Sequence, residues 1–204
     1  MTPTPTPKVF VVDKYGKVSV CSIPPKPIKP IESYSLFAPG SDECIESVVA
    51  SSKFLIVYSR KRQDTMTGTL YFFTHDCKQV PPLTGIHQNI PVHHILCDQN
   101  ANRLYCLDRM RYKIYYHHLP NSPAEIETCM KSRYDFIQIN PNLTAFKMVQ
   151  NDSILGFYVK NHCSLHLYDK HKAEKIDELK CDHFVDKFDS WGIIGKFDFS
   201  MEFK

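Results

Sequence analysis

The sequence predicts an all-β chain made of repeated four-stranded antiparallel units. Three observations carry this. Aromatic residues make up 12% of the chain, with 13 Phe and 11 Tyr, and these side chains fit a pleated, half-buried surface. Short runs alternating apolar and polar residues recur throughout, organised on Ser164-Leu165-His166-Leu167-Tyr168-Asp169 and the strand before it, residues 153–159. Paired runs around turn residues return at a near-constant spacing. With only 7 Gly and 23% charged residues, the chain lacks the composition of wholesale disorder. Its 204 residues are enough for one sizeable core.

Residues 1–7 alternate Thr and Pro and read as an extended or disordered lead to a single domain over residues 8–204. Residues 9–12 form a strand, Asp13-Lys14-Tyr15-Gly16 a turn, and residues 17–21 a second strand. Pro24-Pro25-Lys26-Pro27-Ile28-Lys29-Pro30 is extended, because each proline fixes its own φ and restricts its predecessor, and it interrupts the sheet. Its Pro24-x-x-Pro27-x-Lys29 spacing also fits a ligand of proline-binding adaptor domains. Its place between two strands favours a stiff connection.

The first full repeat has strands over residues 45–50, 54–58 and 69–73, a loop over 59–68, and a weaker strand over 79–83. The second has strands over 92–97, 103–107 and 113–117, a loop over 108–112, and a last strand over 125–129. The third has strands over 144–149, 154–159, 164–168 and 175–179. A final, incomplete repeat offers residues 181–188 and a strand from Gly192, ending in the unbroken alternation of residues 196–204. Residues 170–179 are the one stretch with a helical composition, and they are too short to change the class.

Counted by repeat, the second strands begin near positions 9, 54, 103, 154 and 192. A period of roughly 40–50 residues with four strands per repeat marks the blades of a β-propeller. A sandwich or open barrel is the alternative. Leu165-His166-Leu167-Tyr168-Asp169 resembles the end of the third blade strand in the WD-repeat family, with Tyr168-Asp169 where that family has Trp-Asp. The resemblance runs as a pattern over residues 8–204 and as a motif only in the third repeat. Phe73-Thr74-His75-Asp76 and Tyr116-His117 end the same strand differently, and no repeat carries the family's Gly-His pair. The resemblance implies a non-catalytic scaffold for protein–protein interaction, a subunit of an intracellular complex in the cytoplasm or nucleus.

No apolar run approaches the roughly 18 residues of a membrane span, and residues 1–7 lack the layout of a signal peptide. The 8 Cys, spread without tight spacing, accordingly read as reduced thiols rather than a disulfide framework. Asn142-Leu143-Thr144 and Asn151-Asp152-Ser153 would matter only in a secreted protein. A turn centred near Ala101 sets Cys97 opposite Cys106.

His162, Cys163 and His166 invite a metal reading, but in a strand the two histidines lie about 13 Å apart and Cys163 faces the other way. His93-His94 and His117-His118 split in the same fashion, so no metal and no cofactor are expected. There is no nucleophile elbow, phosphate loop, dinucleotide fingerprint or paired-carboxylate motif, and no catalytic residue is assigned. A Cys-His pair assembled only by the fold is the remaining enzymatic alternative.

The charges are more informative. Net charge is only +3, yet the loops between second and third strands, which open on one rim of a propeller, hold Lys14, Lys17, Arg60, Lys61, Arg62, Arg109, Arg111, Lys113 and Lys160. Against them stand Asp13, Asp64 and Asp108. Tyr15 and Tyr112 lie in the same loops. The turns between first and second strands, on the opposite rim, hold Lys53, Asp98, Asp152 and Asp189. The nine cations are the predicted partner-binding set, suited to acidic segments of other protein subunits, with nucleic acid as the alternative ligand. The bland reading is a solvated set of loop charges. Residues 196–204 need a neighbouring strand, either to close a ring or to pair at the edge of a partner chain.

Overall fold

The computed structural model describes residues 8–22, 30–63, 68–75, 92–143, 145–150 and 152–180. The chain divides into two compact units, Met1–Ile90 and Pro91–Lys204. The N-terminal unit contains β1 (Lys8–Val12), β2 (Lys17–Ser22) and β3 (Pro30–Ser35) in one sheet, and β4 (Glu43–Ala50), β5 (Leu55–Lys61) and β6 (Thr69–Phe73) in another. In the C-terminal unit, β7 (His94–Asp98), β8 (Arg103–Asp108), β9 (Lys113–His118) and β10 (Tyr134–Gln138) form a four-stranded sheet, with a short helix α1 (Ile126–Lys131) before β10. A second four-stranded sheet follows from β11 (Ala145–Gln150), β12 (Ile154–Val159), β13 (Ser164–Asp169) and β14 (Lys175–Lys180). Every strand pairs antiparallel with its sequence neighbour, so each sheet is a simple meander.

The expected strands therefore stand, with three differences. Residues 30–35 form a strand that the sequence reading left unassigned, while residues 24–29 of the proline run expected to interrupt the sheet lie outside the described residues. Pro30 opens β3 at the sheet edge, a position where a missing amide donor costs no ladder bond. Residues 125–129 were expected as a strand but belong to a 3₁₀ turn, Pro123–Glu125, and to α1. The signals are local: Pro123 stands at the helix start, Glu125 Oε2 accepts from the Asn121 amide at 3.1 Å, and Ile126 and Met130 are buried one turn apart. Residues 170–179, helical by composition, instead form a turn and the first part of β14, because pairing with β13 overrides a weak propensity. The expected strands over 79–83, 181–188 and from Gly192, the alternating run 196–204, and the lead 1–7 lie outside the described residues. Two of the four described sheets are thus three-stranded.

In the C-terminal unit the core lies between its two sheets. Tyr105, Leu107, Ile114, Ile137 and Ile139 pack against Met148, Leu155, Phe157 and Val159. The central strands β8 and β12 are buried on both faces, which is why they read as near-continuous apolar runs rather than clean alternations. The first strands of the two sheets approach each other: Gln150 Nε2 donates to the Cys97 carbonyl at 2.5 Å and the Met148 amide to His94 Nδ1 at 3.4 Å. The N-terminal unit repeats the plan with Val18, Leu36, Leu55, Val57 and Phe73 at its core. Each large apolar side chain so buried stabilises the fold by roughly 1.5–3 kcal/mol before entropy is counted.

Candidate interaction surface

In the N-terminal unit the turn between β1 and β2 is shaped by Asp13, whose Oδ1 accepts from the amides of Tyr15 at 2.8 Å and Lys17 at 2.9 Å. Gly16 supplies the left-handed conformation the turn requires, at φ 86°. Two backbone bonds fasten the turn, from Leu36 to the Gly16 carbonyl at 2.8 Å and from Ile45 to the Lys14 carbonyl at 3.1 Å. The carboxylate is thereby committed to the backbone, and the turn presents Tyr15 with 59% of its surface exposed. Lys14 Nζ lies 4.9 Å from the Tyr15 ring centroid and the Arg62 guanidinium 5.6 Å from it. Cations from two sheets thus meet over one exposed aromatic ring, an arrangement that favours an anionic ligand. Lys17 and Lys61 are exposed nearby in sequence, while Arg60 pairs with Glu46 at 2.7 Å.

In the C-terminal unit the turn between β8 and β9 has the same chemistry. Asp108, buried at 1% exposure, accepts from the Arg111 amide at 3.0 Å and pairs with the Arg111 guanidinium at 3.5 Å. The Tyr112 carbonyl accepts from the Ile139 amide at 2.7 Å and from Gln138 Nε2 at 3.0 Å. The Arg109 amide donates to His93 Nδ1 at 3.4 Å. Asn161 Nδ2, beside Lys160 in the β12–β13 turn, donates to the Asn142 carbonyl at 2.6 Å. Residues 138–142 therefore join the two turns at one end of the unit, as the strand order requires. Lys113 pairs with Asp135 on β10 at 2.9 Å, which holds the Asp135 carboxyl below its usual range. Glu46 and Asp135 are strand residues, so loop-by-loop reading had left both out of the charge balance.

The opposite end of the C-terminal unit is tied differently. Asn100 Nδ2 donates to Asp152 Oδ1 at 3.0 Å, joining the turns between first and second strands of both sheets. Asp98, expected as a surface charge there, is instead buried against Lys170 at 2.5 Å. The reason is tertiary: the Lys170 turn folds back so that its amide donates to the Ser153 carbonyl at 2.9 Å.

Among the described residues no group of three or more His, Cys, Asp and Glu is placed to hold a metal ion. His162 lies in the 3₁₀ turn Lys160–His162, not in a strand, while His166 lies on β13. His166 Nε2 sits 3.1 Å from Ser164 Oγ and 3.4 Å from Glu178 Oε2. A relay would need the carboxylate on the other ring nitrogen, and Ser164 is fully buried, so this trio is a packed polar contact. Burial, then the Lys175 charge, lowers the His166 pKa.

No protein-family model and no curated protein matches the sequence. Solved structures do match its shape. The β-propeller domain of Cps50 (Swd1) from Myceliophteria thermophila aligns with TM-score 0.55 at 9% identity, over 85% of this chain and 56% of that one. KlAtg21, solved in complex with the coiled coil of AgAtg16, aligns with TM-score 0.54 at 12% identity over 85% and 53%. A luciferin-regenerating enzyme aligns with TM-score 0.59 at 10% identity over 89% and 61%. The chain has a β-propeller-like fold. Its sheets are blades of three or four strands, and the chain spans between about half and three fifths of the length of these structures. The Tyr15 turn joins β1 to β2 and the Tyr112 turn joins β8 to β9, and in both the residue just after the sheet's last strand donates its amide to the turn, Leu36 to the Gly16 carbonyl and Ile139 to the Tyr112 carbonyl. Both tyrosines follow an Asp that caps the turn and precede a Lys that opens the next strand. That recurrence is visible in Asp13-Lys14-Tyr15-Gly16-Lys17 and Asp108-Arg109-Met110-Arg111-Tyr112-Lys113, and sequence reasoning noted the charges without the shared plan. The described residues include no helix long and apolar enough to cross a membrane.

Proposed function

We propose that the chain is a non-catalytic, WD-like propeller scaffold whose basic turns hold acidic segments of partner subunits in an intracellular protein assembly. The observation that carries this reading is the Lys14–Tyr15–Arg62 cluster, in which a rigid turn brings cations from two sheets to one exposed ring. Lys17, Lys61, Arg109 and Arg111 extend the basic character along such turns, and Lys160 stands in the matching turn of the next blade. Propellers serve as enzymes too, but the one Ser-His-Glu grouping described here is built as a packing contact. The AgAtg16 coiled coil on KlAtg21 illustrates a propeller engaging a protein segment.

Nucleic acid is the competing ligand, and a direct comparison decides between them. Fluorescence anisotropy is measured with a glutamate-rich peptide and with a single-stranded RNA of equal charge, for the native chain and the Lys14→Ser/Arg62→Ser variant. The scaffold reading expects tighter peptide binding, weakened about tenfold or more in the variant, with Tm nearly unchanged because exposed charges add little to folding. Tighter RNA binding with a steep salt dependence would favour the nucleic-acid reading. Binding of neither, or equal binding by the variant, would overturn the proposal.

A further inference from the structure

The turn between β8 and β9 exposes more than charge. Met110 is 49% exposed, Tyr112 is 39% exposed, and the Arg111 side chain is 55% exposed, all within one tight turn. Met, aromatic residues and Arg are the types that concentrate in the centres of protein–protein interfaces. A phosphate backbone has no use for a methionine.

The backbone of the turn is held in place before any partner arrives. It is bonded to Asp108, His93, Gln138 and Ile139, so its ordering costs nothing on binding. Tyr112 adopts φ 53°, in the left-handed region where a bulky side chain is disfavoured and Asn or Gly is at ease. The same blade uses Asn at such a position in its other turn, Asn102, also at φ 53°. Ala173, at φ 57°, is packed against the core. Tyr112 is the aromatic among these residues, and its strained backbone keeps a large side chain at the surface.

We propose that residues 109–112 are an apolar anchor for a partner protein on the C-terminal unit. Met110 and Tyr112 enter an apolar pocket on a partner protein, and carboxylates on the rim of that pocket face Arg109 and Arg111. This rests on the scaffold reading above and deepens it: beside its acidic segments the partner carries an apolar pocket whose rim supplies carboxylates.

Two measurements test it. Thermal unfolding of the Tyr112→Asn variant should give a Tm equal to or above that of the native chain, because the backbone bonds of residue 112 survive and the strain is relieved. A clear fall in Tm would mean that Tyr112 serves packing, and would overturn the proposal. Separately, benzoylphenylalanine replaces Met110 in the full chain expressed in its own cells, and adducts formed on irradiation are mapped by mass spectrometry. The expected adducts lie on apolar protein residues flanked by Asp or Glu, and are lost when Arg109→Glu and Arg111→Glu are added. Adducts to nucleic acid or lipid, to a protein surface without carboxylates, or none at all would overturn it. The same photoreactive residue at position 15 separates the two failures: adducts there but not at 110 remove only the anchor, and adducts at neither position remove the scaffold reading with it.

Discussion

Lys170 Nζ lies 2.5 Å from Asp98 Oδ2, with both side chains at 5% exposure or less. Asp98 ends β7 and Lys170 follows β13, so the pair joins the two blades of the C-terminal unit. Asp98 Oδ1 also accepts from the Ala101 amide at 3.1 Å, and Arg103 donates to the Lys170 carbonyl at 3.2 Å. Removing one partner strands the other charge away from water. Asp98→Leu should therefore destabilise the chain by about 3–5 kcal/mol, whereas Asp98→Leu combined with Lys170→Met should cost clearly less than the two single changes together. Urea unfolding of the three variants checks this, and equal, additive losses would contradict it.

His117 gives a pH dependence with a definite sign. Burial lowers its pKa, and the Ser132 carbonyl sits 2.8 Å from Nδ1. The unfolded chain therefore binds a proton on this group more readily than the folded chain. Its contribution is fully present above the unfolded value of about 6.5 and is lost as pH falls from there through the folded value. His117→Asn, which keeps a donor toward Ser132, should flatten the stability profile below pH about 6.5. An unchanged slope, measured by denaturant titration across that range, would show that another group governs it.

The thiols of the β7–β8 hairpin should be inert. Cys97 pairs across the hairpin with Leu104 and Cys106 with Ile95, so the two cysteines are diagonal neighbours rather than opposite ones. Both are free, and burial pushes the Cys97 thiol to about 12 and raises Cys106 as well. Native-state alkylation near pH 8 should leave both unmodified, since the thiolate is the reacting form. Peptide mapping that found either one labelled before unfolding would contradict the burial of these thiols.

Gly68 is needed for close approach. A Cβ there would collide with the Ser59 carbonyl and stand 2.6 Å from the Tyr58 ring. Gly68→Ala should cost about 1–3 kcal/mol, read as a lower Tm. A Tm within a degree of the native one would show that the β5–β6 turn can shift to make room.

The parts legible in the sequence were those set by local alternation. Ile154–Val159 announced itself by a run of β-branched and aromatic residues and Ser164–Asp169 by its alternation of apolar and polar residues, and the repeat followed from the spacing of such strands. The strand Tyr134–Gln138 was hidden by the helix before it, and that helix was signalled only by Ser122-Pro123-Ala124-Glu125. The Cys97 register was misjudged because setting Cys97 opposite Cys106 centres the turn between Ala101 and Asn102, whereas the observed pairing with Leu104 centres it between Asn100 and Ala101, and one residue of turn shifts the pairing by two. At the candidate surface, the basic turns were legible because they are contiguous in sequence. The pairings that modify them, Arg60 with Glu46 and Lys113 with Asp135, join residues on different strands and depend on register. The burial of Asp98 depended on Lys170, far along the chain, which no local pattern reveals.

The central claim, that the basic turns face carboxylates of a partner protein, is tested most directly by zero-length cross-linking of native assemblies. A carbodiimide joins a lysine amine to a carboxylate only where the two are in contact. The account predicts amide links from Lys14, Lys17 or Lys61 to Asp or Glu of a different protein, reduced in the Lys14→Ser/Arg62→Ser variant. Links confined to this chain's own carboxylates, with the protein behaving as an isolated monomer in the same preparation, would contradict it.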